Sequence, residues 1–269
     1  MNLSIHPGTA KQLETYKKDL PHALLLTGKT GIGLGTIARS IAGTFYLQGD
    51  LRPELLTKTS TIPQIGVDRI RELYTLSRGK QSRSSVVIID DADTMTESAQ
   101  NSFLKLLEEP PMNTHFILTT HSPEALLPTV KSRLQTLHIQ PISIEQSNEL
   151  INTLPKLDEV RRRQMLFIAS GLPAELVRLG TDDEYFRVRS ERIKLAKDLV
   201  EGSTSQRLSI LLKNPVSRDE AIATIKQIIE LLELNPQTSS VMRIKKLLQT
   251  LDRLQAGGHV RLQLAAGVL

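Results

Sequence analysis

Residues 24–38 read LLLTGKTGIGLGTIA, an apolar run followed by glycines, a lysine and hydroxyl side chains. Residues of these types can wrap phosphate groups when they run Gly, four residues, Gly, Lys, then Ser or Thr. The backbone N–H groups then line a concavity at a helix N-terminus, where negative charge is favoured. The lysine reaches the β- and γ-phosphates and the hydroxyl binds magnesium. Spacing decides whether that chemistry is available. If Gly28–Lys29–Thr30 closes the loop, the leading position falls on Ala23, inside the apolar run, and nothing remains to wrap a phosphate. If Gly28 leads, Gly33 follows five residues later as required, with Gly31 between them. The lysine position is then Leu34 and the hydroxyl position Gly35. Thr36 comes one residue late, which turns a side chain by ~100° around a helix. A charge-assisted hydrogen bond contributes about 1.5–3 kcal/mol, so losing the lysine removes roughly one to two decades of affinity. Losing the magnesium ligand as well works against hydrolysis. The same glycines also suit a plain turn between a strand and a helix.

A second cluster, VVIIDDAD (86–93), is a β-branched run closing on acids. Asp90 stands where a strand-end acid coordinates magnesium. Asp91 stands where a glutamate polarises the attacking water, and it is about one methylene shorter. Acids at the start of a helix, favoured by its dipole, account for the same residues. The six histidines show no metal-ligand spacing, and the absence of Cys excludes disulfides, thiolate zinc sites and Cys nucleophiles. No Ser-His-Asp arrangement is present, and the expected metal ligation is none. Arg161–Arg163 and Lys245–Lys246 read as solvated charge. The basic stretch SRGKQSR (77–83) reads the same way, although Arg78, Lys80 and Arg83 could meet DNA phosphates.

The elements that must position these groups alternate over residues 1–142. Strands are expected at 22–27, 86–90, 115–120 and 134–139, and helices at 34–46, 66–77, 97–108 and near 123–133. That alternation argues for a parallel sheet covered on both faces. Ser143 and Gln146 form a capping-box pattern, and helices then run to the end. Gly171 reads as a helix stop and Pro173 suits the first turn of the next helix. Helical patterns continue over 186–200, 205–213, 217–234, 237–255 and 258–269. The layout is an α/β region, a small helical unit and a second helical unit.

The bulk properties agree with that layout. A chain of 269 residues exceeds one average domain. Apolar residues at 39% and charged residues at 23% make a globular mixture. Aromatics at 3%, with no Trp, leave the cores to Leu, Ile, Val and Ala. A net charge of +5 permits contact with nucleic acid without requiring it. No run approaches the ~20 apolar residues that span a membrane. MNLSIHPGTAKQ lacks the basic-then-apolar pattern of a secretory signal, so a cytoplasmic location is expected.

Four stretches taken together carry a resemblance: LPHALLLTGKTGIG, GVDRIRELYTLS, VVIIDDADTMTESAQNSFLKLLEEPPMNTHFILTT and PEALLPTVKSRLQ. They resemble the clamp-loader subunits of bacterial DNA polymerase III, which are AAA+ proteins, in the delta-prime form first and the gamma/tau form next. The match is dense over residues 20–140 and diffuse over 141–180, and GGHVRLQLAAGVL is similar to the family's last collar helix. The resemblance implies an AAA+ parallel-sheet core over 1–142, a helical lid over 143–183 and a helical collar for oligomerisation over 184–269. It implies gamma/tau and delta subunits, the sliding clamp and primed DNA as partners. The clamp also becomes a possible contact for the 77–83 stretch.

The resemblance also assigns roles. The family's Ser-Arg-Cys motif corresponds to Ser132, Arg133 and Leu134, which makes Arg133 a trans arginine finger for a neighbour's γ-phosphate; an arginine neutralising a helix C-terminus is the plain alternative. Thr120 matches the family's first sensor, as a buried strand-end threonine also would. Glu175, in SGLPAEL, stands where the family carries its second-sensor arginine, and a negative side chain there repels phosphates. The family's four-cysteine zinc module has no counterpart, so 47–62 does without zinc. Gly28, Gly31, Gly33, Leu34, Gly35, Asp90, Asp91, Thr120 and Glu175 thus outline a degenerate nucleotide site expected to be empty. ATP and magnesium are expected on partner subunits. The alternative is a weakly active gamma/tau-type ATPase that uses Lys29 or Thr36 as substitutes. A DNA-binding module acting alone fits less well, because single-strand binders offer stacking aromatics.

Overall fold

The structure, a computed structural model, describes residues 4–53, 63–76, 84–155, 157–213, 217–234 and 238–269. The chain forms two compact units, Met1–Gly180 and Thr181–Leu269.

The first unit is built on a five-stranded sheet. Its strands are β1 (Ala23–Thr27), β2 (Tyr46–Leu51), β3 (Ser85–Ile89), β4 (Thr114–Thr120) and β5 (Gln135–His138). They lie in the order β2-β3-β4-β1-β5, with every pairing parallel. α1 (Pro7–Lys18) precedes β1, and parallel strands need long crossovers, which helices supply: α2 (Leu34–Ala42), α3 (Val67–Leu76), α4 (Glu97–Glu108) and the short α5 (Pro128–Lys131). β1 and β3 are buried along their whole length, as central strands covered on both faces should be. One core packs Leu25, Val87, Ile89, Phe116 and Leu118 against Phe103, Leu106 and Ile70. The other packs Leu24, Leu26, Ile88 and Ile117 against Ile37, Ala38 and Ile41. Alternate residues of a strand feed opposite faces, which is why these two lists interleave.

Two differences from the sequence expectation are local. The helix expected over 34–46 stops at Ala42, where Gly43 closes it. The chain then turns into β2, an edge strand not anticipated because YLQGDL lacks β-branched residues. β2 carries a bulge, with Leu47 paired to Val86 and Gly49 to Val87, leaving Gln48 over. A bulge resets which face the following residues present. Arg161, read as solvated, is partly buried, and its Nη2 donates to Leu179 O at 2.8 Å.

Three further helices complete this unit: α6 (Ile144–Asn152), α7 (Glu159–Ala169) and α8 (Pro173–Thr181). Ser143 and Gln146 form the expected capping box of α6. Gly171, at φ 80°, follows the end of α7, and Pro173 opens α8. The second unit consists of α9 (Asp183–Glu201), α10 (Thr204–Lys213), α11 (Arg218–Leu234), α12 (Thr238–Gln255) and α13 (Val260–Val268). Its own core joins Ala196, Leu199, Ala221, Ile225, Ile228, Leu247, Leu254 and Leu264. The stretch 77–83, including Arg78, Lys80 and Arg83, lies outside the described residues, as does 54–62 of the segment expected to do without zinc.

Candidate functional site

The carboxyl ends of β1, β3 and β4 lie side by side, the edge at which open parallel sheets bind ligands. The segments following these strands converge there. After β1 comes the glycine loop. Gly31 and Gly33 have φ of 91° and 92°, a conformation that a Cβ would strain. Gly28 O is 2.8 Å from His121 Nδ1, the residue that follows β4. Leu34, in the lysine position, is 2% exposed and belongs to the core beneath the loop. Its side chain lies 3.4 Å from where a Cβ on Gly28 would stand. Lys29 and Thr36 are exposed.

Gly35, in the hydroxyl position, is hemmed in. A Cβ there would lie 2.8 Å from Asp90 Oδ2 and 2.9 Å from Arg39 Nη1. Arg39 sits one helical turn later on the same face of α2. Its Nη2 donates to Asp90 Oδ2 at 3.3 Å, and its Nε donates to Asp50 Oδ2 at 2.9 Å. The other Asp90 oxygen accepts from Thr119 Oγ1 at 2.7 Å. Both carboxylates of this cluster therefore face one guanidinium. Burial pulls the Arg39 pKa down, but the hydrogen bonds and charges of Asp50 and Asp90 outweigh it and hold the group above its ordinary range.

Asp91 adopts a left-handed conformation, φ 49°, and its N–H donates to Thr119 Oγ1 at 3.0 Å. Burial, reinforced by the neighbouring Asp90 charge and opposed by His121, pushes the Asp91 carboxyl above its ordinary pKa. Thr120 is fully buried, but its hydroxyl donates to Asp93 Oδ1 at 2.7 Å and accepts from Ser122 N. The hydroxyl that reaches Asp90 thus belongs to Thr119, one residue before the threonine singled out in the sequence. Glu175 is brought to the loop by the first turn of α8. Its N–H donates to Gly31 O at 2.9 Å, and a Cβ on Gly31 would lie 3.0 Å from Glu175 Cβ. A Cβ on Gly33 would similarly meet Ala174 Cβ at 3.4 Å.

Comparison with known proteins supplies the lineage. A family profile described as "DNA polymerase III, delta subunit" matches residues 6–143. The chain belongs to the DNA polymerase III delta-subunit family. Its similarity to the delta-prime subunit of Bacillus subtilis is 32% identity over 214 residues, 71% of this chain and 64% of that one. With the delta-prime subunit of Pseudomonas aeruginosa it is 28% over 208 residues, 68% and 63% of the two chains. The chain therefore spans a little under two thirds of the length of these relatives. A crystal structure of a DNA polymerase III gamma subunit-related protein from Thermotoga maritima superposes with a TM-score of 0.61 at 19% identity, covering 96% of this chain and 97% of that one. This chain's sequence is thus delta-prime-like, and its fold is that of the gamma subunit-related protein.

Ser132 and Arg133, the pair singled out in the sequence, lie where α5 ends. Gln100 of α4, buried, orders the approach to it. Gln100 Nε2 donates to Met95 O and Ala125 O, and its Oε1 accepts from Leu127 N at 2.7 Å. Ser132 and Arg133 are both exposed. Arg133 Nη1 donates to Thr129 O at 2.9 Å, and Nη2 donates to Glu108 Oε1 at 2.8 Å. The guanidinium is thus held at the surface by its own helix turn and by the end of α4.

Six residues of these two clusters were not singled out by sequence: Arg39, Asp50, Thr119, His121, Gln100 and Glu108. Arg39 had a readable signal, since it follows Gly35 by four residues and long helical side chains lean toward the N-terminal turn. Asp50, Thr119 and His121 depend on strand order, which brings β2 beside β3 and β4 beside β1, and Gln100 and Glu108 on the packing of α4 against the segment that carries α5.

Proposed function

We propose that this chain is a non-hydrolysing clamp-loader subunit that lends Arg133 to the ATP site of a neighbouring subunit during loading of a sliding clamp onto primed DNA. The observation that carries this reading is the contrast between two guanidiniums. Arg39 lies at the glycine loop and is engaged with Asp90, the acid that would hold magnesium, whereas Arg133 stands away from that acid at the end of α5, paired with Glu108 at the surface. A planar, permanently charged group at a subunit edge suits stabilisation of charge on a transferring phosphoryl group.

The residues around the glycine loop do not fit a magnesium–triphosphate. Leu34 offers no cation and is packed in the core. Gly35 offers no hydroxyl, and the space beside it is taken by Asp90 and Arg39. Glu175 adds negative charge where the α8 turn rests on Gly31. The proposal places the protein in the cytoplasm, with gamma/tau-type and delta-type subunits as partners and with ATP and magnesium on those partners.

The test is a reconstituted loader carrying Arg133→Ala. The clamp- and DNA-stimulated ATPase rate is expected to fall at least tenfold with assembly intact, and an unchanged rate overturns the finger. Calorimetry on the isolated chain tests the other half. No saturable heat is expected with millimolar magnesium-ATP, and saturable binding would restore the reading as a weak ATPase.

A further inference from the structure

We infer that Arg39 is a tethered cation that takes over, within this chain, the charge-neutralising work of a magnesium ion at Asp90, and that Gly35 is the residue that makes room for it. This deepens the reading of the loop as a site without metal and rests on it.

The geometry links the two positions. Side chains on an α-helix lean toward its N-terminus, so residue i+4 reaches back over residue i. Arg39 therefore passes over position 35 on its way to Asp90. A single carbon at Gly35 would lie 2.9 Å from Arg39 Nη1 and 2.8 Å from Asp90 Oδ2, both closer than a Cβ is found to such atoms. The hydroxyl residue that the phosphate-binding pattern requires at 35 would thus press on both ends of the Arg39–Asp90 contact, and the two side chains would have to shift apart to admit it. Gly35 and Arg39 are a matched pair rather than two independent changes.

The guanidinium also does more than neutralise one acid. Asp50, on β2, and Asp90, immediately after β3, present carboxylate oxygens to the same side chain, with contacts of 2.9 Å and 3.3 Å. The partners are partly exposed, with side-chain exposures of 35% for Arg39, 19% for Asp90 and 23% for Asp50. Two partly sheltered carboxylates repel less when a cation stands between them. A planar group with several donors can serve both and tie α2 to the ends of two strands. Thr119 completes the cluster by donating to the remaining Asp90 oxygen. Arg52 Nη2, at 3.4 Å from Asp50 Oδ2, adds charge at the exposed side.

Thermal unfolding of the full chain with and without magnesium tests this. Arg39→Met keeps much of the stem's bulk and removes the charge, while Arg39→Lys keeps a cation. The wild type and Arg39→Lys are expected to show the same Tm with and without 10 mM magnesium chloride. Arg39→Met is expected to unfold lower and to recover about 2–4 °C with magnesium, a shift typical of modest site binding in a chain of this size. That recovery should vanish in Arg39→Met/Asp90→Asn. Gly35→Ser is the second arm. It should lower Tm in the wild-type background and have little effect on top of Arg39→Met, a non-additivity expected only of contacting residues. Additive effects of Gly35→Ser and Arg39→Met, or a magnesium response in the wild type as large as in Arg39→Met, would overturn the inference. Neither result would touch the proposal for Arg133 or the loss of the lysine at Leu34.

Discussion

Thr119 and Thr120 are adjacent on β4 and point to opposite faces of the sheet, so one residue separates two different networks. The Thr119 hydroxyl donates to Asp90 and accepts from the Asp91 N–H; the Thr120 hydroxyl joins Asp93 and Ser122. Thr119→Val keeps the shape of a residue that is 1% exposed, but strips Asp90 of a donor and leaves the Asp91 N–H without its acceptor. An unsatisfied buried group costs about 1–3 kcal/mol, and urea unfolding should show a loss of that size. Thr36→Val, on the exposed side of α2, should change stability by no more than about 0.5 kcal/mol. Equal effects of the two changes would mean that the Thr119 network adds nothing to stability. At this scale the sequence disclosed the glycine spacing and the acids, because both follow from residue types at fixed intervals. It could not disclose which threonine meets Asp90, since that depends on the phase of a strand against its neighbours.

At the scale of elements, the ends of helices are where local chemistry and stability meet. The sequence pattern Ser-x-x-Gln identified the start of α6, and the reciprocal bonds of Ser143 and Gln146 are present. An equivalent arrangement starts α11, where the Ser217 N–H and hydroxyl donate to Glu220 Oε2 at 2.9 Å and 3.0 Å, and the Glu220 N–H donates back to Ser217 Oγ. These bonds, the backbone one first, lower the Glu220 pKa below its ordinary 4.5. A carboxylate with a depressed folded-state pKa stabilises above its unfolded value, and that contribution is lost as pH falls through the folded one. Glu220→Gln should therefore lower Tm slightly at pH 7, with the gap to wild type closing as the pH drops below 4.5. A gap that stays constant with pH would show that the charge plays no part. The effect should be small because the side chain is almost fully exposed. β2 is the contrary case: YLQGDL carries no strand signal, and it becomes a strand because the edge of β3 is there to pair with it.

At the scale of the molecule, the two units have separate hydrophobic cores, one pair of clusters around the sheet and one among α9 to α13. Ile225 is fully buried in the helical core, and Ile225→Ala should cost about 2–5 kcal/mol. Hydrogen exchange is expected to accelerate across 181–269 while the central strands β1, β3 and β4 stay protected. Uniform acceleration across both units would mean that they unfold as one.

The alternation of apolar runs and amphipathic stretches was enough to give a parallel α/β region followed by helices, because burial on both faces of a sheet and on one face of a helix leaves different periods in the residue order. The displaced lysine and hydroxyl were visible too, since a phosphate loop is a matter of counting. Only the tertiary structure decided which groups stand beside Gly35. Asp50 and Asp90 are forty residues apart in the chain, and the pairing of β2 with β3 puts both carboxylates against one arginine. No pattern along the chain records that meeting, because it is made by hydrogen bonds between strands and by a bulge that turns Asp50 toward its partner.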